Sequence, residues 1–191
     1  MRETTRILNL RLDVRTTKMA LAAALCALLY AWLAPGRSPA FACIGVIFGM
    51  GETMEDSRLH GGNRLVGTAI GGLLGMLLFR AYLFIRPDGS PSLWLVPLTF
   101  VGVVLLNLAC RVCWAGGLHP GGVVLCILLF STPAATYVSY AVNRIVDTAI
   151  GVLLAWGISF FFPRKWMEML RHSIEAHRHT HEHHYTGKHK R

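Results

Sequence analysis

Six apolar runs, separated by short polar or glycine- and proline-bearing breaks, fill most of the chain: residues 19–34, 40–51, 65–79 (extendable past Arg80 to Ile85), 93–110, 122–130 or beyond, and 145–162. A helix needs about 20 apolar residues to cross a bilayer, with tilt and long flanking side chains absorbing a few residues of mismatch. Runs one, three, four and six meet that length. Run two ends at Glu52 and run five is interrupted by Pro133, so both are short. The pattern predicts an all-α integral membrane protein of six transmembrane helices.

The runs also repeat. Asn63 to Leu74 reads NRLVGTAIGGLL and Asn143 to Leu154 reads NRIVDTAIGVLL, nine of twelve residues identical. Each motif follows an apolar run that begins just after a proline, Pro39 in one half and Pro120 in the other. Three helices per copy is an odd number, which turns the copies over relative to one another across the bilayer. The expectation is therefore two inverted three-helix repeats, about residues 19–85 and 93–162, with the glycine faces of the copies buried against each other. Short or broken helices at matching places in such repeats mark a substrate pathway, because unwound helix ends present backbone dipoles there.

Within the motifs, Gly67, Gly71 and Gly75 form a small-residue stripe matched by Asp147, Gly151 and Ala155. Small residues four apart let helix backbones approach closely in lipid. Gly67, Gly71, Gly75, Gly151 and Ala155 are thus assigned to helix packing. Arg64 and Arg144 are read at the N-terminal ends of their helices, where the positive end of the macrodipole disfavours a cation and a counter-charge is required. Glu52, Glu55 and Asp56 are the nearby acids in the first half, Asp147 in the second, and a substrate anion is the remaining choice. Asn63, Arg64, Thr68, Asn143, Arg144, Asp147 and Thr148 are accordingly the candidate substrate-path residues. Arg80 is read as reaching back to the interface, and Asn107 as a helix–helix hydrogen-bonding residue.

Composition supports the membrane reading: 53% hydrophobic residues against 15% charged, with a net charge of +9. The charge lies at the ends, residues 1–18 and 164–191, which places both termini of a multi-pass protein in the cytoplasm. That placement argues against a nucleic-acid partner. A signal peptide ending near Ala40-Phe41-Ala42 is the less favoured reading of the N-terminus, since its removal would delete the first helix. The C-terminal segment holds His177, His179, His181, His183 and His184 within eight residues. It is read as a solvated basic tail, and a weak zinc, nickel or copper site is the alternative. The five cysteines, including the lone C-x-x-C of Cys110 and Cys113, are read as reduced packing residues. No hydrolase triad, nucleotide loop or metalloprotease motif is present, so neither an enzyme nor a cofactor is expected.

The segments RTTKMALA, SPAFACIGVIFGM, EDSRLHGGNRLVGTAIGGLLG and NRIVDTAIGVLLAWGISFFFPRKW together resemble the fusaric-acid-resistance-like (FUSC) and aromatic acid exporter membrane domain. The resemblance spans roughly Arg15 to Trp166, and its most specific parts are the two NR motifs and the closing Pro-Arg-Lys. It implies a six-helix unit in the plasma membrane, at residues 19–163, that exports or conducts small organic anions, aromatic carboxylic acids foremost, with dimeric plant malate channels as distant relatives. A homo-oligomer, a dimer foremost, follows by the same resemblance. Larger members carry a cytoplasmic helical domain after the sixth helix, where this chain continues for about 29 residues. The alternatives are a membrane scaffold whose glycine stripes assemble an oligomer and, more weakly, a metal-responsive transporter gated by the tail.

Overall fold

A computed structural model describes residues 14–113 and 115–161. It contains six α-helices: α1 (Val14–Leu33), α2 (Ala40–Gly49), α3 (Met54–Ile85), α4 (Leu95–Cys113), α5 (Leu118–Ser131) and α6 (Tyr137–Phe161), with one 3₁₀ turn at Ala115–Gly117 before α5. Four are long and apolar enough to cross a membrane: residues 15–33 of α1, and α3, α4 and α6. The other two are not, which corrects the expectation of six spanning helices. At 1.5 Å per residue, the 10 residues of α2 and the 14 of α5 extend about 15 and 21 Å, against a hydrocarbon core of about 30 Å. Sequence stops both. Met50 and Gly51 turn the chain out of α2, and Thr132 with Pro133 ends α5. The histidine tail and most of the basic termini lie outside the described residues.

Large apolar side chains face outward along every long helix: Leu28 and Trp32 on α1, Leu73 and Leu77 on α3, Phe100 and Leu108 on α4, Leu153 and Phe160 on α6. In water this would be an aggregating surface; around a bundle of spanning helices it is the lipid-facing one. The protein is a multi-pass membrane protein.

The NR motifs do not open their helices. Arg64 lies ten residues after Met54 and Arg144 seven after Tyr137. The dipole penalty fades within one turn, so neither arginine suffers it. The early start of α3 has a local cause. The Thr53 hydroxyl accepts from the Asp56 backbone N–H (3.1 Å) and the Asp56 carboxylate accepts from the Thr53 N–H (3.2 Å), a capping box that nucleates the helix well before the apolar run. Thr53→Ala removes one half of it and is expected to lower stability by about 1 kcal/mol, read as an earlier midpoint on chemical denaturation in detergent.

Packing is crossed between the halves. On α3, a Cβ added at Gly67 would overlap the Gly117 carbonyl oxygen, one at Gly71 the Gly121 carbonyl oxygen, and one at Gly75 would stand 2.7 Å from Leu128 Cδ1. On α6, a Cβ at Gly151 would overlap the Ala42 carbonyl oxygen, and Ala155 packs near Gly49. Each long motif helix therefore seats the short helix of the other half, and the glycine stripes face the short helices rather than each other. The long helices touch elsewhere: Ser57 bonds Ser159 (2.9 Å), Trp156 Nε1 donates to the Ser57 carbonyl (2.8 Å), and Gly72 packs on Ile145. As numbers rise along α3 they fall along α6, so the two run antiparallel. The α1 helix closes one side through Ala22, Cys26 and Tyr30 against Val46 and Met50. The α4 helix closes the other through Leu95 against Phe79, Tyr82 and Leu125. The cysteines are free, with Cys26 and Cys110 buried.

Candidate functional site

The antiparallel crossing sets Arg64 and Arg144 on opposite sides of the bundle's middle. Ile145, beside Arg144, packs on Gly72, and eight residues of helix separate Gly72 from Arg64, about 12 Å along the axis. Between these levels lie Thr68 and Thr148, both fully buried. The Thr68 hydroxyl has no hydrogen-bond partner. Such a group at the centre of a membrane bundle calls for a water or a passing polar ligand.

The surroundings of the two arginines differ. Arg144 is held by two rings and a carboxylate. Its guanidinium lies 3.6 Å from the centroid of the Phe41 ring and 4.8 Å from that of Tyr140, and it pairs with Asp147 one turn along at 3.2 Å. Asp147 is 1% exposed. Its other oxygen accepts from the Tyr30 hydroxyl at 2.7 Å and from Arg37 at 2.8 Å, and Arg37 also reaches the Asn143 side-chain oxygen at 3.3 Å. One carboxylate thus ties α1, the α1–α2 loop and α6 together. Gly36, at φ +89°, makes the turn that brings Arg37 round to it. Sequence reasoning reached Arg144 and Asp147 but not Tyr30 or Arg37, since the latter contacts close over more than 100 residues and carry no local pattern.

Arg64 is held less closely, with the Phe48 ring as its aromatic neighbour. Among the described residues no carboxylate pairs with it; its Nε, like that of Arg144, is buried without a hydrogen-bond partner. Asp56, one of the acids near it in sequence, serves the α3 cap instead. Where the second motif has Asp147, the first has Gly67, whose backbone lies directly on Gly117. The aromatic clamp is reduced as well. Phe41 precedes Ala42, the seat of Gly151; Pro120 precedes Gly121, the seat of Gly71, and is a smaller ring. The space so freed is a cavity of about 280 Å³ lined by Phe48, His60, Asn63, Arg64, His119, Pro120 and Val123. Phe48 stands at its edge, 5.5 Å from the Arg64 guanidinium. Asn63 packs against Gly116, whose Cβ would overlap its amide. About 150 Å³ already accepts benzene, so this volume admits a substituted single ring.

The remaining candidates fall elsewhere. Arg80 is exposed at the far end of α3 and Asn107 is half-buried on α4. The histidines His60 and His119 are near each other at the cavity, but no group of three or more metal-ligating residues occurs among the described residues.

The cavity is a cationic, ring-lined pocket in a bundle of membrane helices, and the sequence around it can be placed in a family. No curated protein and no solved structure matches the chain. The family model for aromatic acid exporter family member 1 matches residues 10–162, and the chain belongs to the aromatic acid exporter family.

Proposed function

We propose that the protein is a transporter, not an enzyme, that carries small aromatic carboxylates across the plasma membrane, with Arg64 as the residue that receives the carboxylate. The carrying observation is the contrast between the two arginines. At Arg144 the chain supplies a ring, Phe41, and a carboxylate, Asp147, to one guanidinium. At Arg64 no carboxylate among the described residues pairs with the guanidinium, the ring of Phe48 stands farther off at 5.5 Å, and a cavity opens beside it. A benzoate-like molecule carries those same two groups on one body. Its carboxylate would meet Arg64, its ring would lie beside Phe48 and Pro120, and its substituents would face the His60 side of the cavity. An intramembrane cation that no described carboxylate neutralises is expensive, which favours a functional use.

In this reading the two halves are inverted repeats with both termini cytoplasmic, so Arg64 and Arg144 serve opposite faces. The substrate passes between α3 and α6 by way of Thr68 and Thr148, and the Asn143–Arg144–Asp147 group bounds the other end of the path. Rocking of one half against the other would expose each end in turn. The scaffold alternative needs glycine faces free for a partner chain, and these are consumed inside the protomer.

The test is flux of a hydroxybenzoate in proteoliposomes at matched reconstitution. Arg64→Gln breaks no ion pair among the described residues, so the fold should survive while flux and binding drop. A charge-assisted contact is worth about 1.5–3 kcal/mol, which is about a tenfold to hundredfold loss. Unchanged flux in Arg64→Gln would remove the assignment.

A further inference from the structure

The second cluster is not charge-balanced. Asp147 contributes one negative charge to two guanidinium groups, Arg37 and Arg144. Arg144 is enclosed by its rings, with its side chain only 12% exposed, whereas that of Arg37 is 44% exposed. Arg37 also forms part of the wall of a second cavity, about 170 Å³, together with Leu29, Tyr30, Leu33, Ile150 and Leu154. That is above the roughly 150 Å³ that holds a benzene ring. A net positive cluster, an accessible guanidinium and a ring-sized apolar chamber, open on the side where Leu33 is 71% exposed, therefore meet at one place, on the opposite side of the bundle's middle from the Arg64 cavity.

We propose that this chamber is a second binding station for the transported aromatic carboxylate, in which the ligand's carboxylate takes Arg37 from Asp147 while its ring lies among Leu29, Leu33, Ile150 and Leu154. The proposal rests on the reading of Arg64 as the first station. Exchange is feasible because Asp147 keeps Arg144 when Arg37 leaves, so no buried charge is stranded. Tyr30 lines the chamber and already donates to Asp147, so its hydroxyl can turn to the incoming carboxylate. Asp147 is then an internal competitor that speeds release of the ligand at this end of the path.

Equilibrium binding of radiolabelled benzoate to the full-length protein in nanodiscs of zwitterionic lipid tests this. Wild type is expected to bind two equivalents. Arg64→Gln should leave one, and Arg37→Gln or Leu33→Trp should remove the other while leaving the affinity at Arg64 unchanged. Leu33 is largely exposed, so tryptophan there fills the chamber without disturbing the core or the ion cluster, and it keeps the test decisive should Arg37→Gln fold poorly. A single site that is lost in Arg64→Gln and indifferent to Arg37→Gln and Leu33→Trp overturns the second station and leaves the first standing. A single site with the opposite dependence upholds the Arg37 station and overturns the reading of Arg64. Absence of binding overturns both. Loss of the second equivalent when the discs contain phosphatidylglycerol would give the chamber to a lipid phosphate and overturn the assignment to the free acid.

Discussion

Leucine at Gly71 or Gly151 is expected to abolish the folded protein altogether, leaving no monodisperse species on size exclusion in detergent. At both positions even a methyl group would overlap a carbonyl oxygen of the facing short helix. The obstacle is backbone, so no rotamer change relieves it, and the helices must part. Ordinary overpacking costs about 1–3 kcal/mol; here the seat of α5 or α2 is lost entirely, and the effect should exceed that range. Gly157→Leu is the control, because a Cβ there meets nothing within 4 Å. It should elute as wild type. Were the stripes an oligomer interface, as the sequence alone permits, Gly71→Leu would instead yield a folded protomer of smaller apparent mass.

Asp147→Ala carries the second large effect. It strands Arg37 and Arg144 and leaves the Tyr30 hydroxyl without its acceptor, on three segments at once. Removing one partner of a buried pair costs about 3–5 kcal/mol, and the cost falls mainly on the Arg144 side, since the Arg37 side chain is 44% exposed and solvated. Thermal unfolding should show a collapse of the midpoint or loss of folded protein. Arg37→Gln should be mild by comparison, since Asp147 retains Arg144 and Tyr30. Equal damage from Arg37→Gln and Asp147→Ala would contradict the sharing of one carboxylate described above.

Much of this architecture is legible in the order of residues. The four long helices follow from uninterrupted apolar runs, and the shortness of α2 and α5 from Glu52 and Pro133. The Arg144–Asp147 contact is an i, i+3 neighbourship that any helical wheel displays. The start of α3 is harder, because EDSRLHGG has no apolar period and looks like a loop; only the Thr53–Asp56 spacing hints at a cap. Arg37 is hidden for a different reason. It sits in a proline- and glycine-rich turn that resembles a solvated loop, and its partner lies 110 residues away. The Arg64 cavity is defined by what Gly67 and Pro120 lack, and a missing side chain becomes informative only once the fold has set the second motif beside the first as a comparison.

The crossed seating of the short helices also governs the order in which the chain can be completed. Ala42 meets Gly151, 109 residues later, and at ~5–20 residues per second of synthesis the wait is about 5–20 s. Until α6 emerges, α2 is a segment too short to cross the bilayer by itself and lacks its main helical partner. The nascent protein must therefore shelter a half-inserted hairpin, held by α1 or by the insertion machinery. A chain stopped anywhere before Tyr137 would leave α2 unseated, so degradation machinery that detects loose helices in the bilayer would see it throughout. The seat of α5 on α3 can form earlier, and completion of the last helix is what brings α2 into the bundle.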